Sequence, residues 1–99
     1  GASMSSAKKY LENELGSLTF GMLLRAYRTS EGITQLDLAD KLGVTKSHIS
    51  DLENGRKLVS VDRAAQIAKK LKESEKQFVR VALQDQVRKA GLDYEVDVA

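Results

Sequence analysis

Gln35 to Asn54 reads QLDLADKLGVTKSHISDLEN, and its spacing predicts two short helices joined by a turn at Gly43. Leu38 and Leu42 share a face of the first helix, and Ile49 and Leu52 share a face of the second, because residues three or four apart are neighbours on a helix surface. Ala39 falls where the two axes cross, a place that only a small side chain lets close up. Gly43 ends the first helix, since glycine enters the left-handed region without a Cβ clash. Thr34 with Asp37 has the spacing of a capping box, and Thr45 is placed to cap the second helix.

The order Gln35, Ala39, Gly43, Ile49, Leu52 resembles the helix-turn-helix of Cro and lambda-repressor-like (XRE) DNA-binding domains. The flanks share the resemblance: FGMLLRAYR (Phe20 to Arg28), LENGR (Leu52 to Arg56) and SVDRAAQIAKKL (Ser60 to Leu71). Two departures stand out. Val59 occupies a position where the family often has proline, and beyond Leu71 the chain follows no family pattern. The resemblance implies a major-groove recognition helix over Lys46 to Glu53 and a transcriptional repressor that binds a palindromic operator as a dimer. It also supplies Arg28 as the ion-pair partner of Glu53, whose carboxylate points inward with Ile49 and is costly there unless paired.

With Ile49 and Leu52 inward, steps of about 100° put Ser47, Ser50, Asp51 and Asn54 on the opposite face, with Lys46 at its margin. Lys46, Ser47, Ser50 and Asp51 are therefore the candidate base readers: lysine suits guanine, serine is permissive, and a carboxylate accepts from cytosine. Gln35, Thr45, Asn54, Arg56 and Lys57 are the candidate phosphate contacts, the last two as cations in the loop after the recognition helix. His48 lies near the inward margin, a partly buried histidine or a phosphate contact rather than a metal ligand.

Composition agrees. Ninety-nine residues with 16 Lys+Arg and 14 Asp+Glu carry a net +2, too little to announce nucleic acid. Its distribution says more: Ile33 to Lys72 holds eight Lys/Arg against five Asp/Glu, whereas Glu73 to Ala99 holds four against six. A basic middle and an acidic tail fit a DNA-facing body with a differently employed C-terminus. The chain has no cysteine and one histidine, so disulfides, thiolate chemistry and zinc find no support, no cofactor is implied, and no acid–base cluster suggests an enzyme. No apolar run reaches the roughly 18 residues of a membrane span, and the expectation is a cytoplasmic protein.

The expected fold is all-α: a compact five-helix lambda-repressor-like domain with an added N-terminal helix, a long C-terminal helix and a short C-terminal strand. Residues 1–3 read as a cloning scar and 4–16 as a helical extension, with Ser5 or Ser6 capping a helix that closes at Gly16. Residues 17–72 form the DNA-binding domain, in which Gly21 signals close backbone packing. Residues 73–99 are assigned to dimerisation or partner binding. There Ser74 caps a long helix to about Ala90 whose apolar residues spread over more than one face. Leu92, Tyr94, Val96 and Val98 then alternate with Asp93, Glu95 and Asp97, the period-2 pattern of a strand. Phe78, Leu92, Tyr94, Val96 and Val98 are the candidate dimer interface, the strand pairing with its copy in a second subunit. The second reading is an antitoxin-type module that binds a toxin through this segment and represses its own operon.

Overall fold

The computed structural model describes residues 18–99, and the helix expected between Ser5 and Gly16 lies outside them. Five helices follow one another: α1 (Phe20–Glu31), α2 (Gln35–Leu42), α3 (Lys46–Glu53), α4 (Val61–Leu71) and α5 (Glu75–Lys89). Each begins on a hydroxyl whose oxygen takes an otherwise unpaired N–H of the first turn: Thr19, Thr34, Thr45, Ser60 and Ser74. At Thr34 the box is complete, with Asp37 N–H donating to the threonine at 3.1 Å and Thr34 N–H donating back to the Asp37 carboxylate at 2.9 Å. The turn between α2 and α3 rests on Gly43 at φ 69°. No helix among the described residues is long and apolar enough to cross a membrane.

One core runs through all five helices. Leu24, Leu38, Leu42, Ile49, Ile67, Phe78 and Val81 are fully buried, and Phe20 meets the Phe78 ring edge-on at 5.7 Å between centroids. This placement corrects the assignment of Phe78 to a dimer interface, because its ring is spent on the protomer's own core. The spread of apolar residues round α5 has the same cause: the helix packs against both α4 and α1, so more than one of its faces is covered. Polar contacts from α5 add to this. The Asp85 carboxylate accepts the Phe20 N–H at 2.9 Å and Arg88 at 2.6 Å. The Gln86 amide donates to the carbonyl of the buried Val59 at 3.2 Å.

The C-terminal strand is not formed. Among the described residues there is no β-strand, and nothing after Gly91 belongs to a regular element. A strand needs a neighbour for its backbone groups, and the protomer offers a side chain instead. The buried Gln84 carboxamide donates to the Tyr94 carbonyl at 2.7 Å and accepts the Val96 N–H at 2.8 Å. Val96 and Val98 are half-buried, while Leu92 and Tyr94 remain 48% and 67% exposed.

At Gly21 the backbone of α1 comes close to the C-terminal end of α3. A Cβ built there would lie 2.4 Å from the Leu52 carbonyl oxygen and 2.6 Å from that of Glu53. Alanine is the better helix former by about 1 kcal/mol, but here it would drive α1 away from the C-terminal end of α3. Gly21→Ala should therefore destabilise the domain by about 2 kcal/mol, read as a lowered midpoint in thermal melting by circular dichroism; a raised midpoint would show that the helices separate without cost.

Candidate nucleic-acid interface

The face in question is carried by α3, whose opposite side is locked into the core. Ile49 and Leu52 are buried among α1 and α2, and so is Glu53, with no exposed side-chain surface at all. Its carboxylate is held from three directions. Arg28 on α1 donates through Nε at 2.8 Å to one oxygen and through a terminal nitrogen at 3.0 Å to the other. Arg25, one helical turn earlier, reaches it at 3.4 Å, and the Gln35 amide on α2 donates at 3.2 Å. Burial pushes the Glu53 carboxyl up, but the hydrogen bonds of Arg28 and Gln35, the charge of Arg28 and the hydrogen bond of Arg25 together hold it below the usual glutamate range.

Gln35, a candidate phosphate contact, thus has one amide hydrogen engaged inside the domain. Asn54 is likewise part of the scaffold: its amide donates to the Ser50 carbonyl at 2.9 Å, and its oxygen accepts Arg25 at 3.3 Å. Sequence reasoning missed Arg25. The signal was available, because Arg25 and Arg28 lie three apart and share one face of α1.

Lys46 and Ser47 stand exposed in the first turn of α3, directly after the Thr45 hydroxyl that accepts the His48 N–H at 3.1 Å. His48 itself is half-buried. Ser50 and Asp51, one turn further along, are half-buried beneath the loop that follows the helix. Arg56 donates to Asp51 at 2.8 Å and to the Ser50 hydroxyl at 3.1 Å, and Lys57 lies 3.7 Å from the other Asp51 oxygen. The Arg56 hydrogen bond is the main reason the Asp51 carboxyl is held below the usual aspartate range, with the charges of Arg56 and Lys57 adding to it. Asp51 is therefore not an unoccupied acceptor in this structure. Of the candidate interface residues in the tail, Leu92 and Tyr94 are exposed and Val96 and Val98 half-buried, all remote in sequence from this face.

Two short helices crossing at a glycine turn, the second presenting lysine and serine from its first turn, define a helix-turn-helix nucleic-acid-binding domain. A family model described as helix-turn-helix matches residues 24–78, more than half of the 99-residue chain. The chain belongs to the Cro/lambda-repressor-like (XRE) helix-turn-helix family and is a DNA-binding regulator of that kind. No curated protein matches it.

The buried carboxylate yields two expectations. Arg28→Met removes the bidentate partner and leaves Glu53 to the weaker hydrogen bonds of Arg25 and Gln35. The cost should be about 3 kcal/mol, or roughly 10 °C or more in melting temperature for a domain of this size, against almost none for Lys46→Ala. Acid should expose the same carboxylate. Its folded pKa is depressed, so its contribution is complete above the ordinary glutamate value of 4.5 and is lost as pH falls through the lower folded value. Glu53→Gln should accordingly start less stable at neutral pH and show a shallower loss between about pH 5 and pH 3, measured by urea unfolding at each pH; parallel acid limbs would place the acid sensitivity in other carboxylates.

Proposed function

We propose that the chain is a sequence-specific repressor that binds a palindromic operator as a dimer, with α3 lying in the major groove. The observation that carries this reading is the contrast across α3: Glu53, Ile49 and Leu52 are locked against α1 and α2, while Lys46 and Ser47 project freely from its first turn. A helix held on one side presents its other side to a groove with little conformational entropy left to lose. Lys46 would donate to guanine O6 and N7, and Ser47 would tolerate several partners. The Thr45 hydroxyl, the second amide hydrogen of Gln35 and the ammonium of Lys57 would meet phosphates on either side and fix register. Occupation of the operator would then exclude transcription from the site.

Dimerisation would fall to the C-terminal segment. Leu92 and Tyr94 are large apolar side chains left in water beside a backbone that Gln84 already satisfies. Covering them with the same surface of a second copy requires no strand pairing, only an isologous contact about a two-fold axis. Such an axis would set two α3 helices about 34 Å apart, one turn of B-DNA.

Selection of duplexes from a random pool tests the central claim, and enrichment of an inverted repeat is the expected result. Against that sequence, Lys46→Ala should relax preference at one base position in each half-site at a cost of about 1–3 kcal/mol; an equal loss on random duplex would remove Lys46 from the base-reading set. Deletion of residues 92–99 should shift the protein from dimer towards monomer in sedimentation and weaken operator binding while the helical signal is kept. A truncated protein that remains fully dimeric would place the interface elsewhere.

A further inference from the structure

We propose that Arg56 reads a guanine in the major groove and that Asp51 is the positioning residue that aims it, in place of the phosphate and base-reading roles that the sequence suggests for the two. The proposal rests on the DNA-binding reading and specifies how the C-terminal half of α3 would contribute to it.

The loop after α3 is wound back onto the helix from both its backbone and its side chains. The N–H groups of Arg56 and Lys57 donate to the Asp51 carbonyl at 2.9 and 3.3 Å, across a turn made at Gly55 with φ 73°. The Arg56 side chain then runs along α3 instead of away from it. Its Nε donates to Asp51 Oδ1 at 2.8 Å, and one terminal nitrogen donates to Ser50 Oγ at 3.1 Å. Ser50 is itself steadied by the Asn54 amide at 3.3 Å. Thus the guanidinium lies across Ser50 and Asp51, on the side of α3 opposite the buried Ile49 and Leu52. A contact to phosphate on the loop side, away from α3, would draw it off both partners.

Arginine carries five N–H donors in a planar fork. The Nε hydrogen and one terminal hydrogen are used by Asp51 and Ser50, and among the described residues the remaining donors have no protein partner. Those remaining donors span the end of the fork, the edge that pairs bidentately with guanine O6 and N7. The brace is an exposed ion pair, with the Arg56 side chain 58% and the Asp51 side chain 27% accessible. Such pairs add little to stability. What this one supplies is a restricted rotamer for a long side chain, which reduces the entropy lost on binding. Pairing also neutralises Asp51, a charge that would otherwise face the phosphates of the groove. As a direct acceptor from cytosine, Asp51 would have to reach past the Arg56 guanidinium that lies across it.

The test uses the full chain and the duplex that it enriches from a random pool. Matched duplexes carrying each base at each half-site position are then compared for Asp51→Ala, Arg56→Ala and the double variant. The expected result is that both single variants lose preference for guanine at the same position, by on the order of tenfold. The double variant should lose no more than Arg56→Ala alone, since Asp51 acts only through Arg56. Asp51→Asn keeps an acceptor oxygen in place and should retain part of the preference, and it serves equally if the alanine variant fails to fold. The proposal is overturned if Arg56→Ala weakens all duplexes alike and lowers the salt slope by about one, or if Asp51→Ala relaxes a different position. Failure of the unaltered chain to enrich any sequence would instead remove the DNA-reading premise, before any variant is compared.

Discussion

A carboxylate with no exposed surface sits where α1, α2 and α3 meet, and the orientation of α3 depends on how it is satisfied. Glu53 lies in the last turn of α3, and its partners come from the other two helices: Arg25 and Arg28 from α1 and Gln35 from α2. An unpaired ion there would cost several kcal/mol, so the three helices are compatible with burial of Glu53 in essentially one relative placement. The apolar contacts of Ile49 and Leu52 would tolerate small rotations of α3. A bidentate guanidinium at 2.8 and 3.0 Å would not. Gly21 belongs to the same device, because its missing side chain lets α1 approach the carbonyls of Leu52 and Glu53 closely enough for Arg25 and Arg28 to reach.

The two acids of α3 show how position alone separates structural from surface chemistry. Asp51 and Glu53 are two residues apart and so point to nearly opposite sides of the helix. Both are paired with arginine, and both carboxyls are held below their usual range. Glu53 has its charge cancelled at a carboxylate with no exposed surface, where salt and solvent compete far less than at an exposed pair. Asp51 has its charge cancelled at the surface by a loop that water reaches, so its pair can reorganise around a ligand. The same chemistry fixes a helix in one case and sets the direction of a side chain in the other.

What was legible in the sequence was whatever depends on neighbours within one turn. The Thr34–Asp37 box, the Gly43 stop, the caps at Thr45 and Ser74, and the paired apolar positions of α2 and α3 all follow from local spacing. Contacts that join distant elements were legible only where a family resemblance carried them, as with Arg28 and Glu53. Arg25 had no such guide, and neither did the return of Arg56 onto Asp51, since a loop cation looks equally suited to phosphate until its rotamer is known. Phe78 shows the remaining ambiguity. A helix with apolar residues on more than one face is covered either by a partner or by two helices of its own chain, and periodicity does not distinguish them; here α1 and α4 do the covering.

The C-terminal tail separates the two requirements that a strand normally meets together. Hydrogen bonding at Tyr94 and Val96 is met by a single glutamine side chain, whose carboxamide offers the donor and acceptor that a neighbouring strand would. Coverage of the apolar side chains is not met, because one side chain brings no surface with it, and Tyr94 stays 67% exposed. Each such hydrogen bond contributes about 1 kcal/mol net, whereas ordering backbone costs about 1–2 kcal/mol per residue. Gln84 can therefore fix the short span that it touches but cannot by itself hold the whole segment from Leu92 to Ala99. Any further ordering must come from burying Leu92 and Tyr94, at about 25 cal/mol for each Å² removed from water. Period-2 alternation thus pointed to a strand that does not form: it registers apolar side chains on one face of a segment, but not a glutamine side chain that takes the hydrogen bonds of a neighbouring strand.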